Sequence, residues 1–327
     1  MTTSCDQTSL LGAPAPGHPC RYDTVPPHLV DRERPENVLF ASAAFDGERI
    51  TAVPRPTAGH PYFGDRPEGQ DGVDLRTILE MGRAAAFLAF EAVGDRRAGM
   101  CVAIARARLI RPTPSVVPAP RPGEPGGPGG YVMRCARLRD TFWSFAATHA
   151  TGSPGAPSAG SCEGRATILD SRRLAALRAE ERRLRIAALR AERPDDGPAE
   201  AAAPGEVGRR RPENVFVAGV RHAPDGTSAL LRVPAAHPVV HDPAYDHLPA
   251  LALADAALQL VHARHGGRVE VREIDLRPTR FCETDLPVRL SLGSAATRTG
   301  ELRFEAVQGG MTVARAQLLT VGVAVGV

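Results

Sequence analysis

Apolar and polar positions follow the same plan twice along the chain. An apolar run at residues 38–45 is followed by Asp46-Gly47, and another at 215–220 is followed by Asp225-Gly226. Asp-Gly after an apolar run is typical of a tight hairpin turn, so each run predicts the first strand of a pair. Long helical patterns come next, at 74–93 and 248–265. Their apolar and small residues occupy more than one face, which predicts helices enclosed by other elements.

Behind each helical pattern the apolar period changes to two, which predicts β-strands. The predicted strands are 100–110, 131–138, 141–149 and 164–169 in the first half, and 268–277, 287–292, 300–305 and 311–321 in the second. This order predicts an α+β fold with one central helix per antiparallel sheet, formed twice.

A short motif supports an internal duplication. The sequence RPENV occurs at residues 34–38 and, 177 residues later, at 211–215. Two further matches share this offset, namely His60-Pro61 with His237-Pro238 and Asp65 with Asp242. Matches at one fixed offset indicate a repeated structural unit. We therefore predict a first repeat at 25–170 and a second at 209–327.

The remaining segments differ in composition from the repeats. Residues 171–193 combine a leucine stripe with Arg and Glu, which predicts an amphipathic bridging helix, and a Pro/Ala/Gly linker follows at 194–208. Two Pro/Gly-rich stretches, 112–130 and 152–160, are predicted to be surface loops or disordered insertions. Residues 1–24 are predicted to form a disordered tail.

Composition excludes several kinds of chemistry. All 40 basic residues are arginine, which rules out Schiff-base, pyridoxal-phosphate and P-loop lysines. The net charge of +3 is too small to predict nucleic-acid binding. The six cysteines are scattered without a CxxC pair, which argues against a zinc site or a redox dithiol. We expect no metal and no cofactor. The sequence shows no apolar membrane span and no signal peptide, which predicts a cytoplasmic protein without membrane contact.

Two charged residues stand out in the first helix. Glu80 and Arg83 are three residues apart and therefore project from one face. A solvated ion pair is one interpretation. Their neighbours are mostly apolar, however, which favours a buried pair or a pair that lines a pocket.

The second half offers a histidine at the start of its helix. His247 could move a proton near neutral pH, with Asp255 one or two turns inside the helix. The helix N-terminus could polarise a thioester carbonyl. Asp246 could alternatively cap the helix and have a purely structural role.

These residues resemble the A-factor (γ-butyrolactone) biosynthesis family of AfsA-type hotdog proteins. The family pattern runs His-Pro, Asp-His-x-Pro-Gly and a helix with Glu-x-x-Arg-Gln. The matching residues are His237-Pro238, Asp246-His247-Leu248-Pro249-Ala250 and Asp255 to Gln259 in the second half, with His60-Pro61, Glu80 and Arg83 in the first. Here Ala250 replaces the Gly, Asp255 the Glu and Leu258 the Arg, while Ala84 replaces the Gln in the first half.

The resemblance implies a double hotdog, with two sheets that each wrap around a helix. It further implies transfer of a β-ketoacyl group from the phosphopantetheine arm of an acyl carrier protein to dihydroxyacetone phosphate or a similar hydroxyl acceptor. The product would be a precursor of a γ-butyrolactone-type signal that regulates secondary metabolism and antibiotic biosynthesis. The implied catalytic residues are Glu80, Arg83, Asp255 and His247, and the implied substrate-binding residues are His60, His237, Asp246, Ala250 and Gln259.

Two alternatives remain open at this point. A hotdog thioesterase or dehydratase would use His247 and Asp255 on an acyl thioester without a hydroxyl acceptor. A non-catalytic double hotdog that binds an acyl ligand is favoured by the missing arginine at Leu258. The sequence also leaves open which repeat contains the working site.

Overall fold

The computed structural model describes residues 19–47, 49–67, 74–93, 100–111, 131–139, 142–150, 158–191, 199–266, 269–294 and 300–322. The first half contains seven strands and the helix α1. They are β1 (Cys20–Tyr22), β2 (Phe40–Phe45), β3 (Arg49–Pro54), α1 (Leu75–Ala92), β4 (Met100–Ile110), β5 (Tyr131–Arg139), β6 (Phe142–Ala150) and β7 (Ser158–Asp170).

The connector helix α2 (Ser171–Ala191) leads to a second half with the same plan. Its elements are β8 (Val217–Ala223), β9 (Gly226–Leu231), β10 (His247–Leu248), α3 (Ala250–His265), β11 (Val269–Pro278), β12 (Cys282–Glu283), β13 (Arg289–Ser294), β14 (Glu301–Gln308) and β15 (Met311–Gly322). In each half a hairpin, a buried helix and a set of long strands follow one another, which confirms the predicted α+β hotdog fold.

The sheets predicted for the two repeats are joined into one. Thirteen strands form one antiparallel sheet in the order β1-β2-β3-β5-β6-β7-β4-β11-β15-β14-β13-β9-β8. The halves join where β4 pairs with β11, with Ile110 opposite Glu273 and Ala107 opposite Leu276. Because β4 and β11 are the strands directly after the two central helices, their pairing makes the two halves equivalent about the middle of the sheet.

The two central helices share one apolar core. α1 packs on strands of the first half and α3 on strands of the second, and the two helices also contact each other. The buried residues of both halves form a single cluster. A helix that is apolar nearly all round needs neighbours on every side, and the sheet together with the other helix provides them.

The RPENV motifs bind the two halves to each other. Asp242 of the second half accepts hydrogen bonds from the backbone N–H of Glu33 at 2.8 Å and from Asn37 Nδ2 at 2.5 Å. In the reverse direction, Asp65 accepts from the N–H of Arg210 at 2.9 Å and from Asn214 Nδ2 at 2.6 Å.

Four of these residues are buried, namely Asn37, Asp65, Asn214 and Asp242. Their hydrogen bonds are therefore shielded from water, and buried polar groups need such partners. The repeated residues found in the sequence thus form the interface between the repeats.

Several segment predictions need correction. Residues 20–22 form an edge strand paired with β2 instead of belonging to the tail. The predicted linker folds at its C-terminal end, where Pro204–Val207 form a short 3-10 helix with Val207 buried. The insertion at 152–160 ends inside β7, which begins at Ser158. Residues 1–18, 112–130 and 192–198 lie outside the described residues, and the proposed division at 25–170 and 209–327 stays a prediction.

The connector helix runs from Ser171 to Ala191, close to its predicted bounds. Its leucine stripe is only partly covered, with Leu177 62% exposed, while Arg185 is fully buried. Arg185 donates to the Phe281 carbonyl oxygen at 2.7 Å and thereby fixes α2 to the second half. Among the described helices, none combines the length and apolar character needed to cross a membrane.

Candidate functional site

A cavity of about 700 Å³ lies between the two halves. α1, the first turn of α3, the connector helix α2, strands β4 and β7 and residues 278–281 form its walls. Most of the wall is apolar, with Leu79, Phe87, Ile104, Ile168 and Leu253 among the lining side chains. Its size lies within the usual range of about 300–1,000 Å³ for small-molecule sites.

The polar wall of this cavity carries Glu80 and Arg83. Both lie on the helical stripe that continues with Phe87 and Phe90, at spacings of three and four residues. Glu80 is 1% exposed and is held by two guanidinium groups. Arg83 Nη2 is 2.7 Å from Glu80 Oε1, and Arg32 Nη2 is 2.6 Å from Glu80 Oε2.

The two arginines decide the charge state of Glu80. Burial alone would raise its pKa, but Arg32 and Arg83 outweigh this effect and lower the pKa of Glu80 to about 2. The carboxylate is therefore charged and firmly paired, which makes it a weak base. Arg32 is fully used, since it also donates to the carbonyl oxygens of Val239 and Asp242.

Arg83 retains an unused donor. Its Nε and Nη2 bind Glu80, and Nη2 also donates to the Val30 carbonyl oxygen at 2.8 Å. Among the described residues, Nη1 has no hydrogen-bond acceptor, and the carboxylate of Asp31 is 3.9 Å away. Arg83 lines the cavity, but Nη1 itself is buried, so the guanidinium must shift slightly before this N–H can bind an anionic group of a ligand.

His247 reaches the same cavity from the second half. It belongs to β10, which pairs with β12 and so fixes the backbone next to the cavity wall. Its Nδ1 is 2.8 Å from Asp246 Oδ1. Because a carboxylate only accepts, Nδ1 carries the hydrogen and Nε2 keeps its lone pair. Burial lowers the pKa of His247, although Asp246 partly offsets this effect, so the ring is neutral at pH 7.

The N-terminus of α3 faces the cavity without a capping side chain. Ala250 and Leu251 line the cavity, and the residue before the helix, Pro249, makes no side-chain capping bond. The suggestion that Asp246 caps this helix was wrong, because its carboxylate binds His247 and Arg178 instead. Uncapped N–H groups at a helix start are well placed to stabilise a developing negative charge.

Asp255 lies in a different place from His247. With Leu258, Gln259 and His262 it forms an i, i+3, i+4, i+7 stripe that lines a second cavity of only about 50 Å³. The sequence prediction that Asp255 and His247 act together was therefore wrong. The stripe turns Asp255 away from the first turn of α3, which borders the large cavity.

The surroundings of Asp255 resemble those of Glu80, but side chains fill the space beside Asp255. Arg209, which follows Arg32 by 177 residues, pairs with Asp255, and Tyr62 donates to it at 2.9 Å. Burial raises the pKa of Asp255 to about 6. Here the helix N-terminus, that of α1, is capped by Asp74, which accepts from the N–H of Arg76 at 2.7 Å. The second site is thus filled by side chains and closed to an acyl group.

The other predicted binding residues have structural partners. Nδ1 of His60 accepts from the N–H groups of Tyr62 and Phe63, and Nδ1 of His237 accepts from those of Val239 and Val240. Gln259 bonds in both directions with backbone groups, those of Phe216 and Asn214.

His60 and His237 do not line the large cavity, and neither does Gln259. Their backbone partners explain this, because each side chain uses its hydrogen bonds to hold a turn or the start of a strand. Of the predicted binding residues, Asp246 and Ala250 do line it.

Comparisons with known proteins agree with this architecture. Residues 190–324 match the family model described as the A-factor biosynthesis hotdog domain. The second half of this chain is therefore similar to an AfsA-type hotdog domain. No curated protein matches the sequence.

Solved structures with similar chain paths were also found. The 12:0-ACP thioesterase from Umbellularia californica is 10% identical, with 84% of this chain and 97% of that chain covered and a TM-score of 0.46. The dehydratase domain of RzxB from Pseudomonas fluorescens is 13% identical, with 83% and 93% covered and a TM-score of 0.45. Similarities at this level do not transfer an activity.

The half that matches this family model does not form the large cavity alone. It contributes His247 and the N-terminus of α3, while Glu80 and Arg83 come from the first half. Sequence reasoning missed Arg32, although its recurrence as Arg209 at the 177-residue offset was a usable signal. It also missed Asp31 and Tyr245, which line the cavity. Neither residue recurs in the other repeat or belongs to a regularly spaced motif.

Proposed function

We propose that this protein transfers an acyl group from a carrier-bound thioester to the hydroxyl group of a small anionic acceptor. In the finer form of this proposal, a β-ketoacyl group passes from acyl carrier protein to dihydroxyacetone phosphate as a step towards a γ-butyrolactone-type signal. The observation that carries it is the joint placement of an oriented histidine, an uncapped helix start and a free arginine donor on one largely apolar cavity.

The reaction can be assigned to these groups. Nε2 of His247 takes the proton of the acceptor hydroxyl, whose oxygen forms a bond to the thioester carbonyl carbon. N–H groups at the start of α3 stabilise the negative charge on the carbonyl oxygen. The carbon–sulfur bond then breaks, and the proton on His247 goes to the leaving sulfur, so that the products are an ester and a thiol.

Glu80 has a positioning role in this proposal. A carboxylate with a pKa of about 2 takes up a proton poorly at neutral pH. Glu80 instead fixes Arg83 through two hydrogen bonds, of 3.0 and 2.7 Å. Arg83 is then oriented so that its remaining donor can bind the acceptor's negative charge.

The products formed from two carrier-bound thioesters, a β-ketoacyl and a β-hydroxyacyl thioester, test the function. Purified protein is incubated with a β-ketoacyl carrier thioester and dihydroxyacetone phosphate, and the products are separated by mass. We expect a phosphorylated ester. Free acid would indicate a thioesterase, and an enoyl thioester formed from a β-hydroxyacyl carrier would indicate a dehydratase. If neither substrate changes, the protein is a binding module and the proposal fails.

The pH dependence of ester formation tests the role of His247. A base with a lowered pKa stays deprotonated to lower pH, so the midpoint of the fall in rate should lie below pH 6.5. Asp246 raises the pKa of His247, so Asp246→Asn should move this fall to still lower pH. Initial rates from pH 4.5 to 8 give both midpoints. A wild-type midpoint above 6.5 would contradict the assignment.

A further inference from the structure

One arginine of the connector helix α2 binds the residue that orients His247. Arg178 donates through Nη1 to Asp246 Oδ2 and through Nη2 to the Asp246 carbonyl oxygen at 3.1 Å. Its guanidinium therefore holds both the side chain and the backbone of Asp246. The other carboxylate oxygen, Oδ1, is the one that lies 2.8 Å from Nδ1 of His247. Arg178 precedes residues 190–324, so the match to the family model does not include it.

Glu283 fixes Arg178 in turn. Arg178 donates to both of its carboxylate oxygens, through Nε at 3.3 Å and through Nη2 at 2.9 Å. Two parallel hydrogen bonds of this kind define the orientation of a guanidinium. Glu283 belongs to β12 and lies opposite His247 of β10 in their antiparallel pairing. The contacts thus form a closed ring, whose members are His247, Asp246, Arg178 and Glu283.

Arg178 also packs on the aromatic residue that supports the His247 ring. Its guanidinium carbon is 5.3 Å from the centre of the Phe281 ring. Phe281 packs edge-on against the ring of His247, with 4.7 Å between the two centroids. All three side chains line the large cavity. The position of Arg178 therefore affects His247 through a hydrogen-bonded carboxylate on one side and through an apolar contact on another.

Stability does not explain the contact between Arg178 and Asp246. The side chain of Asp246 is 74% exposed, and an ion pair in contact with water adds little to stability. Ligand binding does not explain it either, because all three guanidinium nitrogens of Arg178 already donate to protein oxygens. Orientation does explain it. An exposed carboxylate that nothing holds is free to turn towards water, whereas the contact with Arg178 keeps Oδ1 directed at His247.

We propose that Arg178 is a positioning residue, which holds Asp246 so that His247 keeps its hydrogen on Nδ1 and its lone pair on Nε2. This inference rests on the proposed function, in which Nε2 of His247 is the base. The hydrogen bond made by one ring nitrogen decides the role of the other. Without Arg178, the ring is free to carry its hydrogen on Nε2, which then cannot take a proton. The connector helix is therefore part of the site.

The tautomer of His247 tests the inference without any reaction. In protein with ¹⁵N-labelled histidine, NMR distinguishes a ring nitrogen that carries a hydrogen from one that does not, and His247→Gln identifies the signals. Burial holds the pKa of His247 below its usual value, so the ring is neutral at pH 8. We expect the hydrogen on Nδ1 in wild type. Arg178→Met, which keeps an unbranched stem but no donor, should give averaged signals from both tautomers.

Arg182 provides a matched control on the same helix. It lies one turn after Arg178, and its ionic contacts are with Glu283 at 3.7 Å and with Asp285 at 2.5 Å. It does not line the large cavity. Arg182→Met therefore weakens the attachment of α2 but leaves Asp246 held, and it should keep the wild-type tautomer.

The Arg178 variants are expected to fold. Glu283 retains Arg182 and Arg185, each 3.7 Å away, so the loss of Arg178 does not leave a buried charge unpaired. The midpoint of urea unfolding checks this expectation. Arg178→Lys serves as a second variant, because it keeps the positive charge but cannot hold Asp246 and Glu283 with a planar fork. It should also give a mixture of tautomers, with more hydrogen on Nδ1 than in Arg178→Met.

Kinetics test whether Arg178 acts through Asp246. In the transfer assay, Arg178→Met should lower kcat about 10–100-fold, the order expected when a catalytic group is misplaced. The acceptor KM should stay within about threefold of wild type, since ground-state binding is not altered. In an Asp246→Ala background, Arg178→Met should lower kcat by less than about threefold, because residues that act as one unit are not additive.

The outcomes separate the positioning role from the reaction. If wild type forms no ester, the proposed function fails, while the NMR measurement still tests the role of Arg178. A hydrogen that stays on Nδ1 in Arg178→Met would overturn the inference. An equal change of tautomer in Arg182→Met would overturn it as well, because it would assign the effect to the attachment of α2. Losses of kcat that multiply in the double variant would show that Arg178 does not act through Asp246.

Discussion

Replacing His247 with glutamine is expected to lower the rate of ester formation by about 10²–10⁴-fold, the usual contribution of a general base. Glutamine can still donate to Asp246 but has no basic nitrogen to take the acceptor's proton. The side chain of His247 is 25% exposed, and its ring packs edge-on against Phe281 with 4.7 Å between the ring centroids. Because His247 is not part of the closely packed core, the protein should remain folded. The measurement is kcat with saturating acceptor, together with the urea unfolding midpoint.

His241 provides a matched control for this variant. It lies six residues earlier in the same half, is partly exposed and does not line the large cavity. Burial lowers its pKa as well, so a general effect of removing a neutral histidine would appear in both variants. We expect His241→Gln to keep kcat within about threefold of wild type. If His247→Gln retained wild-type kcat, the assignment of His247 as the base would be withdrawn.

Much of the fold was predictable because its signals are local. β4 has its predicted bounds, Met100–Ile110, and α1 begins directly after its capping residue Asp74. Alternating apolar residues and helix caps depend on neighbours in sequence, and such patterns survive in any tertiary context. The pairing of β4 with β11 was not predictable in this way. Two sheets that stay apart and one continuous sheet give the same alternation of apolar and polar residues along each strand.

The candidate site was only partly predictable for a related reason. Glu80 and Arg83 were found because three-residue spacing on a helix implies proximity. The partners Arg32 and Asp31 come from a turn about 50 residues earlier, and the helical pattern carries no information about that contact. The same limit explains the false pairing of His247 with Asp255. They are close in sequence, but the helix turns them towards different cavities.

The asymmetry between the two cavities follows from a few substitutions. Leu258 stands where the equivalent position of α1 has Arg83, so Asp255 has no local arginine on its own helix. Arg76 of the first half lies 3.7 Å from Asp255 and supplies positive charge from the opposite side. Arg76 is itself 5% exposed and bound to Asp74, so it fills space that the corresponding cavity leaves open. The cavity beside Glu80 therefore stays open, whereas the position of Asp255 has only buried ion pairs and no space for a ligand.

Replacing Glu80 with glutamine is expected to destabilise the protein by about 3–5 kcal/mol, the usual cost of removing one partner from a buried ion pair. Glutamine has nearly the same shape, but it leaves the guanidinium groups of Arg32 and Arg83 without a counter-charge. These side chains are only 3% and 12% exposed, so water can compensate little. The measurement is the free energy of unfolding in urea at pH 7.

The effect of pH and a control variant make this prediction specific. The pKa of Glu80 is lowered from 4.5 to about 2, so its stabilisation is fully present above pH 4.5 and is lost as the pH falls towards 2. The difference between wild type and Glu80→Gln should shrink over that interval. Glu305 pairs with Arg315 at 3.0 Å but is 37% exposed, so Glu305→Gln should cost less than about 1 kcal/mol. Equal losses in the two variants would show that the ion pairs of Glu80 are no stronger than a surface pair, and its role in fixing Arg83 would then be untenable.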